Sequence, residues 1–107
     1  MASLAERLSA VEAFDWDEHN STKTWTKHAV SPLECEEVFF GAPRVLADPA
    51  HSGSEPRFVA FGATATGRRL AVVFTLRGRR LRVVTARDQS RRERRELDHG
   101  ETAEADS

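Results

Sequence analysis

Between residues 61 and 97 the chain carries 11 arginines and no lysine against 3 acids, a local charge of +8. Arginine's planar fork grips phosphate through two parallel hydrogen bonds and stacks on bases, which a lysine ammonium does not do. The segment therefore has the chemistry of a polyanion binder, although a genome biased toward Arg codons would give the same composition. Other reactive groups are sparse. Four histidines, at 19, 28, 51 and 99, and one cysteine, Cys35, show no Cys-x-x-Cys or His-x-x-x-His spacing, so no metal site is expected. No glycine-rich phosphate loop is present, which leaves nucleotide hydrolysis without support, and no other cofactor is indicated. Cys35 falls on the apolar stripe of an expected helix and reads as a small buried hydrophobe rather than a nucleophile.

The rest of the chain has the opposite sign. Residues 1–60 hold 5 Lys+Arg against 10 Asp+Glu and residues 98–107 hold 4 acids, so the overall charge of −1 is a cancellation. Such segregation suggests a polyanion for one part of the molecule and a solvated face or a cationic partner for the other. With 107 residues and 39% hydrophobic content, one domain with a thin core is expected, able to fold without metal or disulfide. No apolar run approaches a membrane span, and MASLAERLSAVEAF lacks the basic-then-apolar layout of a signal peptide. A soluble cytoplasmic protein follows as the expectation.

Those side chains need elements to hold them. Leu4, Leu8 and Val11, with Ser3 as cap and Glu6 three residues on, predict a short amphipathic helix over residues 3–13. Phe14 to Asp17 (FDWD) suits a short strand, and the polar run EHNSTKTWTKH after it is at best a weakly marked helix. Ser31-Pro32-Leu33-Glu34 is a clear helix start, and Gly41-Ala42-Pro43 a clear stop in which Gly41 takes the left-handed cap. From residue 44 the period changes to 2: residues 45–47, 57–65, 69–76 and 80–87 are strands, the last three joined by tight turns at Thr66-Gly67 and Arg77-Gly78. Apolar on both faces, the strand at 69–76 is central and covered twice or nearly so. Ser90 and Glu93 open a short basic helix, and residues 98–107 read as a disordered acidic tail. The class is α+β, with helices and strands segregated along the chain.

FDWD, then KHAVS (Lys27 to Ser31), EVFF, DPAHS with ExRF (Glu55 to Phe58), GRRLAVVFT, and RVVTAR followed by RRERRE occur in one order over one domain length. This ordered set resembles the BrnT family of bacterial type II toxin–antitoxin ribonucleases. The resemblance spans residues 14–97, leaving residues 1–13 as an N-terminal helical extension. It implies a RelE-like fold, in which a small antiparallel sheet follows two helices and precedes one. It also implies metal-independent endoribonuclease activity on mRNA that arrests growth. Neutralisation by a BrnA-like antitoxin is implied too, with operator DNA reached only through that antitoxin, autoregulation of the operon, and a heterotetramer with the antitoxin. Asn20, Thr24, Ala29 and Pro56 depart from the family pattern, and Asn20, Thr24 and Pro56 motivate an alternative, a non-cutting homologue that only binds antitoxin or nucleic acid.

Cleavage of this kind needs a base for the ribose 2′-hydroxyl, an acid for the leaving oxygen and cations for the phosphorane. Within the matched motifs the candidates are His28 and Glu55, with His51 in reserve, and Arg57, Arg82 and Arg87 on the expected sheet. Lys27, Arg79, Arg80, Arg91, Arg92 and Arg94 are the candidates for holding RNA. Each has a plainer reading. His28 could cap a helix end, Glu55 and Arg57 could be a surface ion pair, and His51 a solvated loop residue. Arg79, Arg80 and Arg82 could guard a strand edge, and Arg91, Arg92, Arg94 and Arg95 could form a soluble face. Trp16 and Trp25 are expected in the core, with base stacking the minority reading.

Overall fold

The computed structural model describes residues 2–106, with the side chains of His51 and of residues 100–106 outside the description. In chain order it contains α1 (Leu4–Ser9), β1 (Ala13–Phe14), α2 (Glu18–His28), α3 (Pro32–Phe40), β2 (Arg44–Ala47), β3 (Phe58–Ala63), β4 (Arg69–Arg77), β5 (Arg80–Asp88) and α4 (Arg91–Asp106). A single 3-10 turn, Pro49–His51, interrupts the link from β2 to β3.

Local chemistry accounts for the helix ends. In α1 the Glu6 N–H donates to Ser3 Oγ at 3.1 Å. At α3 the Glu34 N–H donates to Ser31 Oγ at 3.2 Å while the Ser31 N–H donates to Glu34 Oε1 at 3.0 Å, the reciprocal box expected there. Ser90 and Glu93 repeat it at α4, at 3.1 and 2.9 Å. The weakly marked helix is a full element because it too has such a box, built from Asp17 and Asn20. Asn20 Nδ2 also donates to the carbonyls of Asp15 and Val83, at 3.0 and 2.9 Å, so this buried amide ties α2 to β5. The left-handed residues are Ala29 after α2 (φ 52) and Ala42 after α3 (φ 56), not Gly41, whose φ is −89. α4 continues beyond residue 97, where a tail was expected, and of the tail residues only Asp98 and His99 have described side chains.

The strands form one sheet in the order β1-β5-β4-β3-β2. The tight turns join the last three strands as expected, and Gly67 (φ 90) and Gly78 (φ 60) supply the positive angles that those turns require. The sheet is not purely antiparallel, because β1 lies parallel to β5 and pairs Ala13 with Arg80 and Phe14 with Leu81. Two residues long and at the edge, β1 approaches β5 only after the remaining strands have been laid down between them in the sequence, a pairing that local pattern does not encode.

β4 is central, and its Leu70, Val72, Phe74 and Leu76 meet Leu81, Val83 and Ala86 of β5 in a core capped by Val30, Cys35 and Val38. The Phe39 ring stands edge-on to Phe74, with centroids 5.0 Å apart. Opposite that core, the sheet has a second face, covered in part: Arg44, Leu46 and Phe61 line a pocket with Glu93, Glu96 and Leu97 of α4, with Arg44 and Leu46 still exposed, while Thr75 Oγ1 donates to the Pro56 carbonyl at 2.8 Å. Ala71 and Thr75 are buried on this face, and between them it is open along Val59, Val73 and Thr85, which are half-buried.

One irregularity decides what points into the opening. Val73 lies opposite Thr85 but Phe74 opposite Val83, so Val84 is an extra residue on β5. In a regular strand Arg82 and Arg87, five apart, would face opposite sides. The bulge turns the alternation once, so that Leu81, Val83 and Ala86 face the core while Arg82, opposite Thr75, and Arg87, opposite Ala71, share the open face.

Candidate functional site

At one end of the open face the loop before β3 places Glu55 against the end of β4. Arg77 Nε and Nη2 donate to Glu55 Oε2 and Oε1 at 2.9 and 3.2 Å. These bonds, joined by the charges of Arg77, Arg57 and Arg82, hold the Glu55 carboxyl below the ordinary carboxylate range despite some burial. One guanidinium, that of Arg77, is bonded to this carboxylate, and those of Arg57 and Arg82 act on it through their charge. Glu55 and Arg57 are not the surface pair considered above: the partner of Glu55 is Arg77, on the strand two away from β2, which no local spacing reveals.

The three arginines differ in what they already hold. Arg77 is committed to Glu55. Arg82, with 15% of its side chain exposed, contacts Asp17 Oδ2 at 3.0 Å and Asp15 Oδ1 at 3.6 Å. Arg57 holds nothing: its Nε is buried and has no hydrogen-bond partner, and among the described residues no carboxylate pairs with its guanidinium. A buried donor costs about 1–3 kcal/mol unless a water, an ion or a ligand receives its hydrogen bond, so this guanidinium is available to an anion. Arg57 is fixed by its backbone, since its N–H donates to Ser52 Oγ at 2.9 Å and its carbonyl accepts from the Asp48 N–H at 2.9 Å.

Arg87 stands on the same face but farther along. From the register, its strand position is about 13 Å from that of Arg82. It is clasped by Glu93 at 2.7 and 2.9 Å, and this clasp is the leading reason why the Glu93 carboxyl falls to about 2. His28 lies elsewhere. It ends α2, in the layer on the other side of the sheet; its carbonyl accepts from Arg68 at 3.2 Å, and its imidazole acts electrostatically on Asp88. The structure therefore groups Glu55, Arg57 and Arg82, sets Arg87 apart on the same face, and leaves His28 outside that face. The side chain of His51 lies outside the described residues.

Of the expected RNA-holding residues, Arg79 pairs with Glu12 at 2.8 Å, while Arg80 is exposed at the β4–β5 hairpin. Arg91 and Arg94 are exposed on the first turns of α4, Arg92 pairs with Glu96 at 3.0 Å, and Lys27 is exposed on α2. Trp25, expected in the core, is 59% exposed, because the buried side of α2 is taken by Asn20 and Thr24. Trp16 is half-buried and its Nε1–H donates to Glu36 at 2.8 Å. Cys35 is fully buried, and burial first of all pushes its thiol up to about 12, an unreactive state. Missed from the sequence were Arg77, Thr75 and the acids Asp15, Asp17 and Glu93 that hold the arginines. The alternation of Thr75 and Arg77 along β4 was the one signal available for the first two.

The arrangement suits a single-stranded polyanion crossing the sheet. A family model described as the ribonuclease toxin, BrnT, of type II toxin–antitoxin systems matches residues 16–93. The chain belongs to this BrnT family. In fold it is similar to the crystal structure of the Brucella abortus ribonuclease toxin BrnT, with a TM-score of 0.56 at 22% identity over 76% of this chain and 100% of that one. Among curated protein sequences nothing matches. The BrnT match takes in His28, Glu55, Arg57, Arg77, Arg82 and Arg87, whereas α1 and β1 precede it. No helix among the described residues is long and apolar enough to cross a membrane.

Proposed function

We propose that this BrnT-family toxin is an endoribonuclease that cuts mRNA on the open face of its sheet, in a RelE-like fold, and arrests growth in the cytoplasm. A BrnA-like antitoxin neutralises it in a heterotetramer that also represses the operon. The observation that carries this reading is Arg57, whose backbone is held at both ends and whose buried Nε has no partner, within the electrostatic reach of a carboxylate that Arg77 and Arg82 also act on. That is a site for a phosphate flanked by a proton carrier.

Glu55 is ionised and accepts the proton of the 2′-hydroxyl, whose oxygen attacks the adjacent phosphorus. Arg57, Arg77 and Arg82 stabilise the charge that grows on the phosphorane oxygens. The bond to the 5′-oxygen then breaks, that oxygen takes the proton back from Glu55, and a 2′,3′-cyclic phosphate remains. A carboxylate held this low is a weak base, but a phosphate that draws hydrogen bonds from Arg77 weakens the hold and raises its proton affinity. His28 is too far removed in the fold to share this transfer, and Arg87 holds a phosphate farther along the strand. The residues that depart from the family pattern do not weaken the cutting reading. Asn20 and Thr24 are buried structural residues, Ala29 ends a helix, and Pro56 contributes a carbonyl to Thr75.

The test is RNA integrity. Purified protein degrades RNA in EDTA and leaves 2′,3′-cyclic termini, and Glu55→Gln slows this about 10²–10³-fold. RNA that survives wild-type protein across salt and pH defeats the proposal and favours the non-cutting reading.

A further inference from the structure

The segment ahead of the family match does more than extend the chain. Residues 12–15 lie along the outer edge of β5, where the Glu12 N–H donates to the Arg79 carbonyl and the Asp15 N–H to the Leu81 carbonyl, both at 2.8 Å. This pairing delivers carboxylates to the basic hairpin. Glu12 Oε1 is 2.8 Å from Arg79 Nη1, and Asp15 Oδ1 is 3.6 Å from Arg82 Nη1. Asp17 completes the hold on Arg82 but also caps α2, so its place is required by the fold. Glu12 and Asp15 have no such second duty.

The arm is also lightly attached. α1 buries none of its residues, and contact with the core is made by half-buried Leu4, Leu8, Val11 and Phe14. The Glu12–Arg79 pair leaves most of both side chains in solvent, and a pair of that kind adds little stability. What it does do is occupy a guanidinium beside Arg80 and the open face, with the same charge that a phosphate would bring.

We infer that the N-terminal arm, residues 2–15, is an internal competitor for RNA: the carboxylate of Glu12 occupies the guanidinium of Arg79, and that of Asp15 adds to the hold of Asp17 on Arg82, until an RNA backbone displaces the arm. This deepens the reading of the open face as the RNA site and rests on it. Binding then carries the cost of releasing the arm, which sets a threshold that weak or short ligands do not cross, while a strand long enough to reach the hairpin gains Arg79.

A 2′-O-methylated oligonucleotide of about 20 residues serves as probe, because it lacks the attacking hydroxyl and so reports binding alone. Fluorescence anisotropy against salt is compared for the full wild-type chain, for Glu12→Gln/Asp15→Asn, and for Arg57→Ala. The double variant keeps the backbone pairing of β1. It should bind about fivefold tighter at low salt, and its plot of log K against log salt should steepen by roughly 0.7, for Arg79 alone, because Arg82 keeps Asp17. An unchanged slope and affinity in the double variant, with binding weakened by Arg57→Ala, overturns the competitor and spares the site. A lowered Tm with an unchanged slope overturns it equally, since the acids then serve stability only. Wild-type binding by Arg57→Ala removes the site reading and the competitor with it.

Discussion

Arg57 sets activity against stability. Its buried Nε has no partner, so Arg57→Met, which keeps the aliphatic stem and deletes the guanidinium, should leave Tm at or above that of the wild type while cleavage falls about a hundredfold. Thermal melts and RNA assays on one preparation check this, and a variant that loses stability in proportion to activity would mark Arg57 as structural. Ala29 poses the reverse case. It occupies the left-handed region at φ 52, a conformation that costs a side-chain-bearing residue about 1–2 kcal/mol. Ala29→Gly should therefore raise stability in urea by about 0.5–1 kcal/mol, after the glycine's own entropy is subtracted. Cleavage should not change, since residue 29 faces no part of the site.

At the scale of elements, legibility followed the length and chemistry of the signal. α3 and α4 were readable because Ser-x-x-Glu is a strong start, and the meander because Thr66-Gly67 and Arg77-Gly78 punctuate apolar runs. α2 was faint because its box is Asp17 with Asn20, and because its buried positions are Asn20 and Thr24, which no hydrophobic period includes. β1 was misplaced by its brevity, and its partner is the last strand of the chain. The same limit governs the site: arginines were countable, but pairings such as Arg77 with Glu55 exist only once β4 and the preceding loop are assembled. The junction of β5 with α4 gives an element-level prediction. Glu93 sits near 2 in the folded chain against about 4.5 when free, so its contribution is present above the free value and is lost as pH falls toward 2. Glu93→Gln should flatten the dependence of Tm on pH between about 5 and 2, and a wild-type dependence in the variant would refute the clasp.

For the whole molecule the carboxylates act in one direction. Asp17, Glu55, Asp88, Glu93 and Asp98 are each lowered on folding, in the last four chiefly by an arginine. Stability should hold above the usual carboxylate range and decline steadily below it, with no compensating gain, as followed by denaturation from pH 7 to 2. RNA retention should depend on ionic strength in a different way, falling linearly in log K with log salt because the open face works through phosphates. The bulge at Val84 bears on how this chain is compared with others. Deleting Val84 would restore a regular strand and leave every other side chain of β5 on the side it now faces. A relative one residue shorter at this point keeps the same two arginines on one face of the sheet, so a gap belongs there, and the spacing of five is an accident of counting rather than a requirement of the surface.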